Sequence, residues 1–350
     1  MAPGWLRRQR YRAAAIGAVI GAMIAGATGA AAAGDWASVI MYHRFGENTY
    51  PATNIRIDQF EAHLAELATG GYTVLALPDI VAKLRTGGEL PDKTLAITID
   101  DAYASVYAQA WPRLREAGLP FTLFVATDPI DHGLAGYMTW EQLRELAAAG
   151  VTIGSQTASH PHMPNQNRAR NEAEIGKSNR RFRTELGATP EIFAYPYGEY
   201  GTEVKDIISQ AGFLAAFGQH SGVAYAGSDP FSWPRFAMNE TYGSLSRFRL
   251  AINALPLKVA DRTPADTYLT GQNPPLFGFT VTDDLPNLQQ LACFASNQSG
   301  PAKIERLGER RIEVRLEAAF QPGRGRINCT LPGPNKRWRW FGTQFYIPRE

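Results

Sequence analysis

Short apolar segments alternate with amphipathic segments over residues 37–217, and this alternation is the strongest constraint on the fold. The spacing is typical of β-α-β units, which place parallel strands beside one another. The sequence therefore predicts an α/β fold with a parallel sheet that is either open or closed into a barrel. The predicted strands are 37–42, 72–75, 95–99, 120–126, 150–153, 192–195 and 214–217.

The intervening segments carry apolar residues at helical spacing, as Phe60, Leu64 and Leu67 illustrate. Glycine pairs follow the first two of these segments, which is typical of helix ends. The predicted helices are 58–68, 77–85, 102–116, 139–149, 168–186, 203–211 and 247–257.

Residues that can carry chemistry directly follow several predicted strands. Asp100 and Asp101 end the strand 95–99, and one aspartate would suffice to cap the next helix. The second aspartate indicates a site that binds a metal ion or transfers a proton. Barrels of parallel strands place their sites at the carboxyl ends of the strands. The residues in such positions are His43, Asp100, Asp101, His160, Pro196 and His220.

Three motifs, taken together and in this order, resemble those of the polysaccharide deacetylases of carbohydrate esterase family 4, which share the NodB-homology domain. Thr98–Asp101 resembles the Thr-Phe-Asp-Asp motif of that family. Gln156–His160 is similar to its His-Ser/Thr-x-x-His motif, and Tyr195–Gly198 to its Arg-x-Pro-Tyr motif. Met41-Tyr-His43 is also common in the family. The resemblance covers roughly residues 37–240.

The resemblance implies a distorted, incomplete (β/α) barrel of about seven parallel strands. It implies a hydrolase that removes acetyl groups from N-acetylated sugars of a polysaccharide or oligosaccharide, acting on carbon–nitrogen bonds that are not peptide bonds. O-acetyl esters are a further option. The implied partner is an acetylated glycan. The implied cofactor is a divalent metal, zinc first, with cobalt or nickel as alternatives.

The same resemblance implies the roles of individual residues. Asp101 and His160 are expected to bind the metal, and Asp100 to act as the general base. Pro196 and Tyr197 are expected to line the substrate groove, with the Tyr197 backbone amide stabilising the oxyanion.

Gln156 stands where the family has its first motif histidine. An amide oxygen is a poorer ligand for zinc than an imidazole. Three outcomes are open: Gln156 binds a harder ion through its oxygen, His162 supplies the missing nitrogen, or the site binds metal poorly. We place Gln156 at the metal and keep His162 as the alternative.

Two further positions depart from the family. Ala194 stands where the family has an arginine that orients the catalytic aspartate, and Arg235 is our candidate to reach the site in its place, as an orienting or substrate-binding residue. No match to the late Leu-x-His motif follows residue 240. His220 is therefore the candidate acid.

These departures support a second hypothesis, a catalytically weak or inactive polysaccharide-binding relative of the deacetylases. A third hypothesis, a β/α-barrel glycosidase, needs two carboxyl groups about 5–9 Å apart across a bond. Asp100 and Asp101, being adjacent, fit that requirement poorly, and Glu199 is the only obvious second acid.

Residues 1–33 have the pattern of a secretory signal, with arginines before an alanine-rich apolar run and small residues before Gly34. The run is shorter than the roughly 20 apolar residues of a membrane span, so we expect none in the mature chain. The sequence predicts export to the periplasm or the extracellular space. The net charge of +2 gives no case for nucleic acid as a partner.

The composition changes after the predicted barrel. We predict a deacetylase-like domain at 34–257, a linker at 258–275 that is rich in Pro, Asp and Thr, and a β-rich domain at 276–350. Its predicted strands are 277–281, 290–296, 312–318, 326–331 and 344–347. Export would allow a Cys293–Cys329 disulfide, although two buried free thiols are the alternative.

Overall fold

The structure is a computed structural model, and it describes residues 33–349. The predicted leader, residues 1–33, lies outside the described residues except for Ala33. Between residues 33 and 349, no helix has both the length and the apolar character needed to cross a membrane.

Strands and helices alternate through the first part of the chain, and strands alone follow. The strands are β1 (Trp36–Tyr42), β2 (Arg44–Phe45), β3 (Asn54–Ile55), β4 (Thr73–Val74), β5 (Thr94–Asp100), β6 (Phe121–Val125), β7 (Thr152–Ser155), β8 (Ile192–Ala194), β9 (Ala215–Phe217), β10 (Ala224–Tyr225), β11 (Phe236–Ala237), β12 (Leu255–Pro256), β13 (Val259–Thr263), β14 (Phe277–Val281), β15 (Ala292–Ala295), β16 (Lys303–Leu307), β17 (Arg311–Arg315), β18 (Gly323–Pro332) and β19 (Trp338–Ile347). The α-helices are α1 (Ile57–Thr69), α2 (Leu77–Arg85), α3 (Trp111–Glu116), α4 (Thr127–Asp131), α5 (Trp140–Ala148), α6 (Arg168–Leu186), α7 (Thr202–Gln210) and α8 (Leu245–Ile252).

The main sheet is a curled, open barrel with the strand order β10-β1-β5-β6-β7-β8-β9. Strands β4 and β11 pair with β5 and β1, respectively. Every pair along this sheet is parallel except β1–β10. The prediction of a distorted barrel of about seven parallel strands is confirmed.

The central strands are mainly apolar because both of their faces are buried. All seven residues of β5 and all five of β6 are buried, as expected for parallel strands covered by helices. One core lies outside the sheet, where Leu95, Ile97 and Ile99 meet the helices. Alternate residues such as Ala96 point to a second core with Phe124 and Phe217.

The predicted helix 102–116 is not a uniform α-helix. Residues Val106–Ala110 form a π-helical turn, and α3 begins only at Trp111. The backbone N–H of Trp111 donates to the carbonyl of Val106, five residues earlier. Pro112 has no N–H to donate, so the regular bond to residue 108 cannot form. A wider turn at such a point is the usual result.

The predicted helix 247–257 has different bounds. Helix α8 runs from Leu245 to Ile252, and the side chain of Ser244 caps it by accepting a bond from the Arg247 N–H. The following Leu255–Pro256 is strand β12, which pairs with β19. Pro256 cannot continue a helix, which explains the early end.

The C-terminal part forms two four-stranded sheets, of order β12-β19-β18-β15 and β13-β14-β17-β16. Apolar residues of both sheets share one core, in which Phe277 packs on Phe345 and Phe279 on Phe341. The predicted β-rich region is therefore confirmed, although strand β16 was not predicted.

The segment 258–275, which was predicted to be a linker, contains a strand and bonds to the C-terminal sheet. It contains strand β13, which pairs with β14, and its Leu269 N–H donates to the Tyr346 carbonyl. The side chains of β13 are half-buried or exposed. A polar edge strand of this kind has the composition of a linker, which is why the sequence did not indicate a strand here.

Cys293 and Cys329 form a disulfide. They lie directly opposite each other on the antiparallel pair β15–β18, and both side chains are fully buried. The bond therefore joins neighbouring strands within one sheet of the C-terminal region.

Candidate active site

The carboxyl edge of the barrel is built from backbone in uncommon conformations. Nine described non-glycine residues have positive φ, and five of them lie in the loops after β5, β7 and β8. Such conformations cost free energy and cluster at functional sites. They also end each strand abruptly, so that adjacent side chains such as those of Asp100 and Asp101 diverge. The five residues are Asp101, Ala102, Thr157, His160 and Tyr197.

Asp100 is paired with Arg235 in a fully buried, two-point ion pair. Arg235 donates from Nη1 to Oδ1 at 2.6 Å and from Nη2 to Oδ2 at 2.9 Å. Neither side chain has any exposed surface. Arg235 is itself fixed by a bond from Nε to the Gly218 carbonyl and by another from Nη1 to the Thr98 hydroxyl. The geometry fixes the plane of the Asp100 carboxylate.

Asp101 and His160 face each other across the edge of the barrel. His160 Nε2 lies 3.4 Å from Asp101 Oδ1, and that oxygen has no hydrogen-bond partner among the described residues. Burial lowers the pKa of His160, against the opposing effect of Asp101 and Asp100. The imidazole is therefore biased toward the neutral form that a metal requires.

Gln156 directly follows β7 and is fully buried, and its backbone N–H donates to the Val125 carbonyl. Its amide nitrogen and amide oxygen both lack a hydrogen-bond partner in residues 33–349. Buried amides are normally satisfied, so this one indicates a missing partner.

The donor set at this edge fits a divalent cation, although it is short of nitrogen and sulfur ligands. Within the described residues no cluster of three His, Cys, Asp or Glu side chains could hold a metal. Asp101 and His160 line the cleft, and the Gln156 amide is fully buried at the end of the neighbouring strand β7. Carboxylate and amide oxygens suit harder ions better than they suit a structural zinc site.

His162 makes contacts that separate it from His160. Its Nδ1 lies 2.6 Å from Glu199 Oε2, and its ring stacks on Tyr197 at 4.1 Å. His160 contacts the same Tyr197 ring edge-on, so that the tyrosine packs against both imidazoles. Burial raises the pKa of Glu199 against the effect of its bond to His162. The bond to Glu199 uses Nδ1 and leaves Nε2 free, which is a common arrangement in metal-binding histidines, so His162 stays the alternative third ligand.

Pro196 and Tyr197 form the turn that follows β8. Pro196 is buried, whereas Tyr197 is half-buried, has a φ of 58° and lines the cleft beside Asp101 and His160. The structure therefore brings Tyr197 to the site and keeps the Pro196 side chain below the surface.

His220 does not join the other predicted site residues. Gln219 and Ser221 line the cleft, whereas His220 lines a neighbouring cavity of about 430 Å³ with Tyr200 and Arg262. The position after a strand did not indicate which of the two neighbouring cavities the His220 side chain would line, and its catalytic role stays a prediction. Burial lowers its pKa to about 3, so the ring is neutral at pH 7.

His43 occupies the position expected of a second proton-transfer group. It directly follows β1 and lines the same cleft as Asp101 and His160, and its Nε2 lies 3.9 Å from Asp100 Oδ2. The sequence placed His43 at this edge without assigning it a role. The sequence feature that pointed to His43 was the Met41-Tyr-His43 motif at the end of a predicted strand.

The cleft has a volume of about 880 Å³, and part of its wall lies outside the barrel. Arg247 comes from α8, and Arg324, Arg326 and Asn328 come from β18. Trp340 from β19 also contributes. No motif pointed to these residues, because their approach depends on how the C-terminal sheet packs on the barrel.

We expect the protein to lose stability in mild acid because it contains two buried histidines. Burial lowers the pKa of His63 to about 4 and that of His220 to about 3, from a usual 6.5. The unfolded chain therefore takes up protons below pH 6.5 that the folded chain does not bind. We expect the free energy of unfolding to fall by about 2 kcal/mol per histidine between pH 6.5 and pH 5.

Urea unfolding at both pH values measures this effect. His63→Gln should lose its share of the pH dependence, while the exposed His132→Gln should behave like the wild type. An unchanged pH dependence in His63→Gln would contradict the assignment.

Comparison with known proteins points in the same direction as the geometry. The sequence model of the polysaccharide deacetylase family matches residues 87–216. The chain is similar to YxkH of Bacillus subtilis, named for a polysaccharide deacetylase, with 26% identity over 186 residues, which are 53% of this chain and 65% of that protein. It is also similar to the poly-β-1,6-N-acetyl-D-glucosamine N-deacetylase of Escherichia coli K12, with 23% identity in a 214-residue alignment that covers 49% of this chain and 32% of that protein. The chain thus spans less than two thirds of the length of these curated relatives.

Solved structures share the barrel. IcaB from Ammonifex degensii has a TM-score of 0.56 at 24% identity, and the match covers 63% of this chain and 98% of that one. The Streptococcus pyogenes deacetylase PplD has a TM-score of 0.58 at 21% identity, with coverage of 62% and 98%, respectively. At these sequence identities, the structural similarity establishes only the fold. The fold, the match of residues 87–216 to the family model and the motifs at 98–101, 156–160 and 195–198 agree with one another, and all three make the chain similar to the polysaccharide deacetylases.

Proposed function

We propose that this protein is a metal-dependent hydrolase that removes acetyl groups from N-acetylated sugars of a polysaccharide or oligosaccharide. The observation that carries the proposal is the division between the two adjacent aspartates. Asp100 is held in one plane by Arg235, while Asp101 leaves an oxygen unsatisfied opposite His160. This arrangement suits one carboxylate for proton transfer and the other for a cation.

Asp100 is the proposed general base. Each oxygen of a carboxylate has two acceptor positions, and Arg235 occupies one position on each oxygen. The remaining capacity can accept a proton from an attacking water. Arg235 has no exposed surface, so we propose that it positions Asp100 and makes no contact with the substrate.

Asp101, His160 and the Gln156 amide oxygen are the proposed ligands of the cation. When bound, a divalent cation polarises the acetyl carbonyl and makes water a better nucleophile at neutral pH. The unsatisfied Gln156 amide supports its inclusion, and an oxygen-rich donor set supports a harder ion than zinc as one outcome.

His43 is the proposed proton donor to the leaving amine, in place of His220. It lines the cleft, whereas His220 lines the neighbouring cavity and is neutral at pH 7. An amide leaves as an amine only when its nitrogen is protonated, so a donor on the substrate side is required. Tyr197 lies beside His160 and is the proposed contact for the sugar ring.

Acetate release tests the proposal. The purified protein is stripped with a chelator, reloaded with zinc, cobalt or nickel, and assayed on an N-acetylglucosamine oligomer, with metal content measured in parallel. We expect release that stops on stripping and returns with one of the metals. A folded protein that binds none of the three metals and releases no acetate from neutral or anionic glycans would favour the inactive glycan-binding alternative.

We also propose that the protein is exported. The pattern of residues 1–33 supports export, and so does the Cys293–Cys329 disulfide, because disulfides persist mainly in oxidising compartments. The amino-terminal sequence of the protein recovered from its native host checks this proposal, since cleavage after Ala33 would leave Gly34 first.

A further inference from the structure

Three arginines line the same cleft as Asp101 and His160. Arg247 belongs to α8, and Arg324 and Arg326 lie two residues apart on β18 and so face the same side of their sheet. All three are outside the family-matched residues 87–216. We call Arg247, Arg324 and Arg326 the arginine wall.

Arg247 is the most informative member of the arginine wall. Its Nη1 is buried without a hydrogen-bond partner, and no carboxylate among residues 33–349 forms an ion pair with it. The guanidinium lies over Phe236 at 5.4 Å and over Trp340 at 5.2 Å. These rings hold the group in place, but they do not satisfy its N–H donors.

The other two arginines are also short of anionic partners. Arg326 donates from Nε to the neutral amide of Gln344 at 3.0 Å. Arg324 has one long ion pair, from Nε to Glu199 Oε1 at 3.9 Å, and the other oxygen of Glu199, Oε2, is bonded to His162. Burial lowers the pKa of both Arg247 and Arg326, which shows that their charge is held at a cost.

The acidic residues of the cleft do not balance these charges. Among the residues that line it, Asp101 is the single carboxylate, and the proposed function assigns that group to the cation. A desolvated guanidinium without an anion is destabilising, whereas one that meets a carboxylate or phosphate in a two-point bond is favourable. The missing anion is therefore expected to arrive with the ligand.

We propose that the arginine wall binds an anionic oxygen group, a carboxylate or a phosphate, on the acetylated glycan, so that the substrate is an acidic polysaccharide and not a neutral one. The proposal rests on the proposed function and names the substrate class of the same cleft. It also gives the C-terminal sheet a role, because β18 supplies two of the three arginines.

Titration calorimetry with an oligosaccharide of alternating glucuronic acid and N-acetylglucosamine tests the proposal. An N-acetylglucosamine oligomer of equal length is the neutral comparison, and N-acetylglucosamine 6-phosphate against N-acetylglucosamine tests the phosphate. We expect at least one anionic probe to bind about tenfold or more tightly than its neutral counterpart, since one charge-assisted hydrogen bond supplies that factor. The preferred probe identifies the source of the anion.

Three variants localise the effect. Arg247→Gln, Arg326→Gln and the more exposed Arg324→Gln should each reduce the preference for the anionic probe, with little change in the affinity for the neutral one. Arg306→Gln, on an exposed position of β16, is the matched control and should keep the preference. Because Arg324 is partly exposed, its variant remains informative if Arg247→Gln fails to fold.

The outcomes separate this inference from the proposed function. Equal affinities for charged and neutral probes, together with acetate release from the neutral oligomer, would overturn the inference and keep the function. Tight binding of an anionic probe that the three variants weaken, with no acetate release under any metal, would keep the inference and overturn the function. A preference that Arg306→Gln removes as effectively as Arg247→Gln would also overturn the inference.

Discussion

Arg235→Met is expected to lower the free energy of unfolding by about 3–5 kcal/mol, because it leaves the buried Asp100 carboxylate without its counter-charge. Both side chains are fully buried and are joined by two short hydrogen bonds. Removing the guanidinium also frees the Gly218 carbonyl and the Thr98 hydroxyl from their bonds to Arg235. Urea unfolding of the wild type and the variant measures the difference.

A double variant distinguishes the effect of losing the ion pair from the effect of losing side-chain packing. Arg235→Met leaves the Asp100 charge without a partner, and Asp100→Asn removes that charge. The loss in the free energy of unfolding should therefore be smaller for the double variant than the sum of the losses for the two single variants. Acetate release should be lost in every variant of the set, because the general base is either absent or misplaced. Arg113→Met, which breaks a partly exposed ion pair with Glu61, is the matched control and should cost only about 0–1 kcal/mol. A cycle with additive effects would show that the pair is not coupled.

Asp101→Asn and His160→Gln are expected to abolish metal binding and to reduce acetate release by about 10³-fold or more. The reason is that a bound cation contributes several kcal/mol to the transition state, and about 1.4 kcal/mol corresponds to a factor of ten. The measurements are metal content by mass spectrometry and acetate release at saturating metal. Folding is checked by the unfolding midpoint, because both side chains lie at the edge of the barrel and are partly exposed.

His162→Gln is the matched control for His160→Gln, since the two residues are close in sequence and contact the same tyrosine. It should retain metal if Gln156 is the third ligand, because the bond of His162 to Glu199 then has no part in the metal site. Gln156→Leu should weaken metal binding if the Gln156 amide oxygen is the third ligand. Loss of metal in His162→Gln, with retention in Gln156→Leu, would reverse the assignment of that ligand.

The sequence was informative about the barrel because parallel strands buried on both faces read as apolar runs, and β5 and β6 are such strands. It was also informative about the edge of the barrel, since Asp100, Asp101 and His160 directly follow strands and are brought together. Arg235 was proposed as a substitute for the arginine missing at position 194, and it does reach Asp100.

Other features depend on information that local sequence does not carry. The direction of the His220 side chain is set by the bend at residues 219–220, after strand β9, and its place after a strand does not determine that direction. The π-helical turn at Val106–Ala110 follows from one proline inside an otherwise helical pattern. The arginine wall depends on the packing of α8 and β18 against the barrel, which no local motif encodes.

The bond between Arg235 and Asp100 joins residues 135 positions apart. During synthesis, strand β5 therefore leaves the ribosome long before the group that neutralises its last residue. A nascent chain that ends before residue 235 carries an aspartate at the end of its central strand with no counter-charge available. The segment that matches the family, residues 87–216, lacks both Arg235 and the neighbouring strand β1. A shortened form limited to residues 87–216 would therefore lack the counter-charge of Asp100, whereas the region 37–240, over which the motifs resemble the family, includes Arg235.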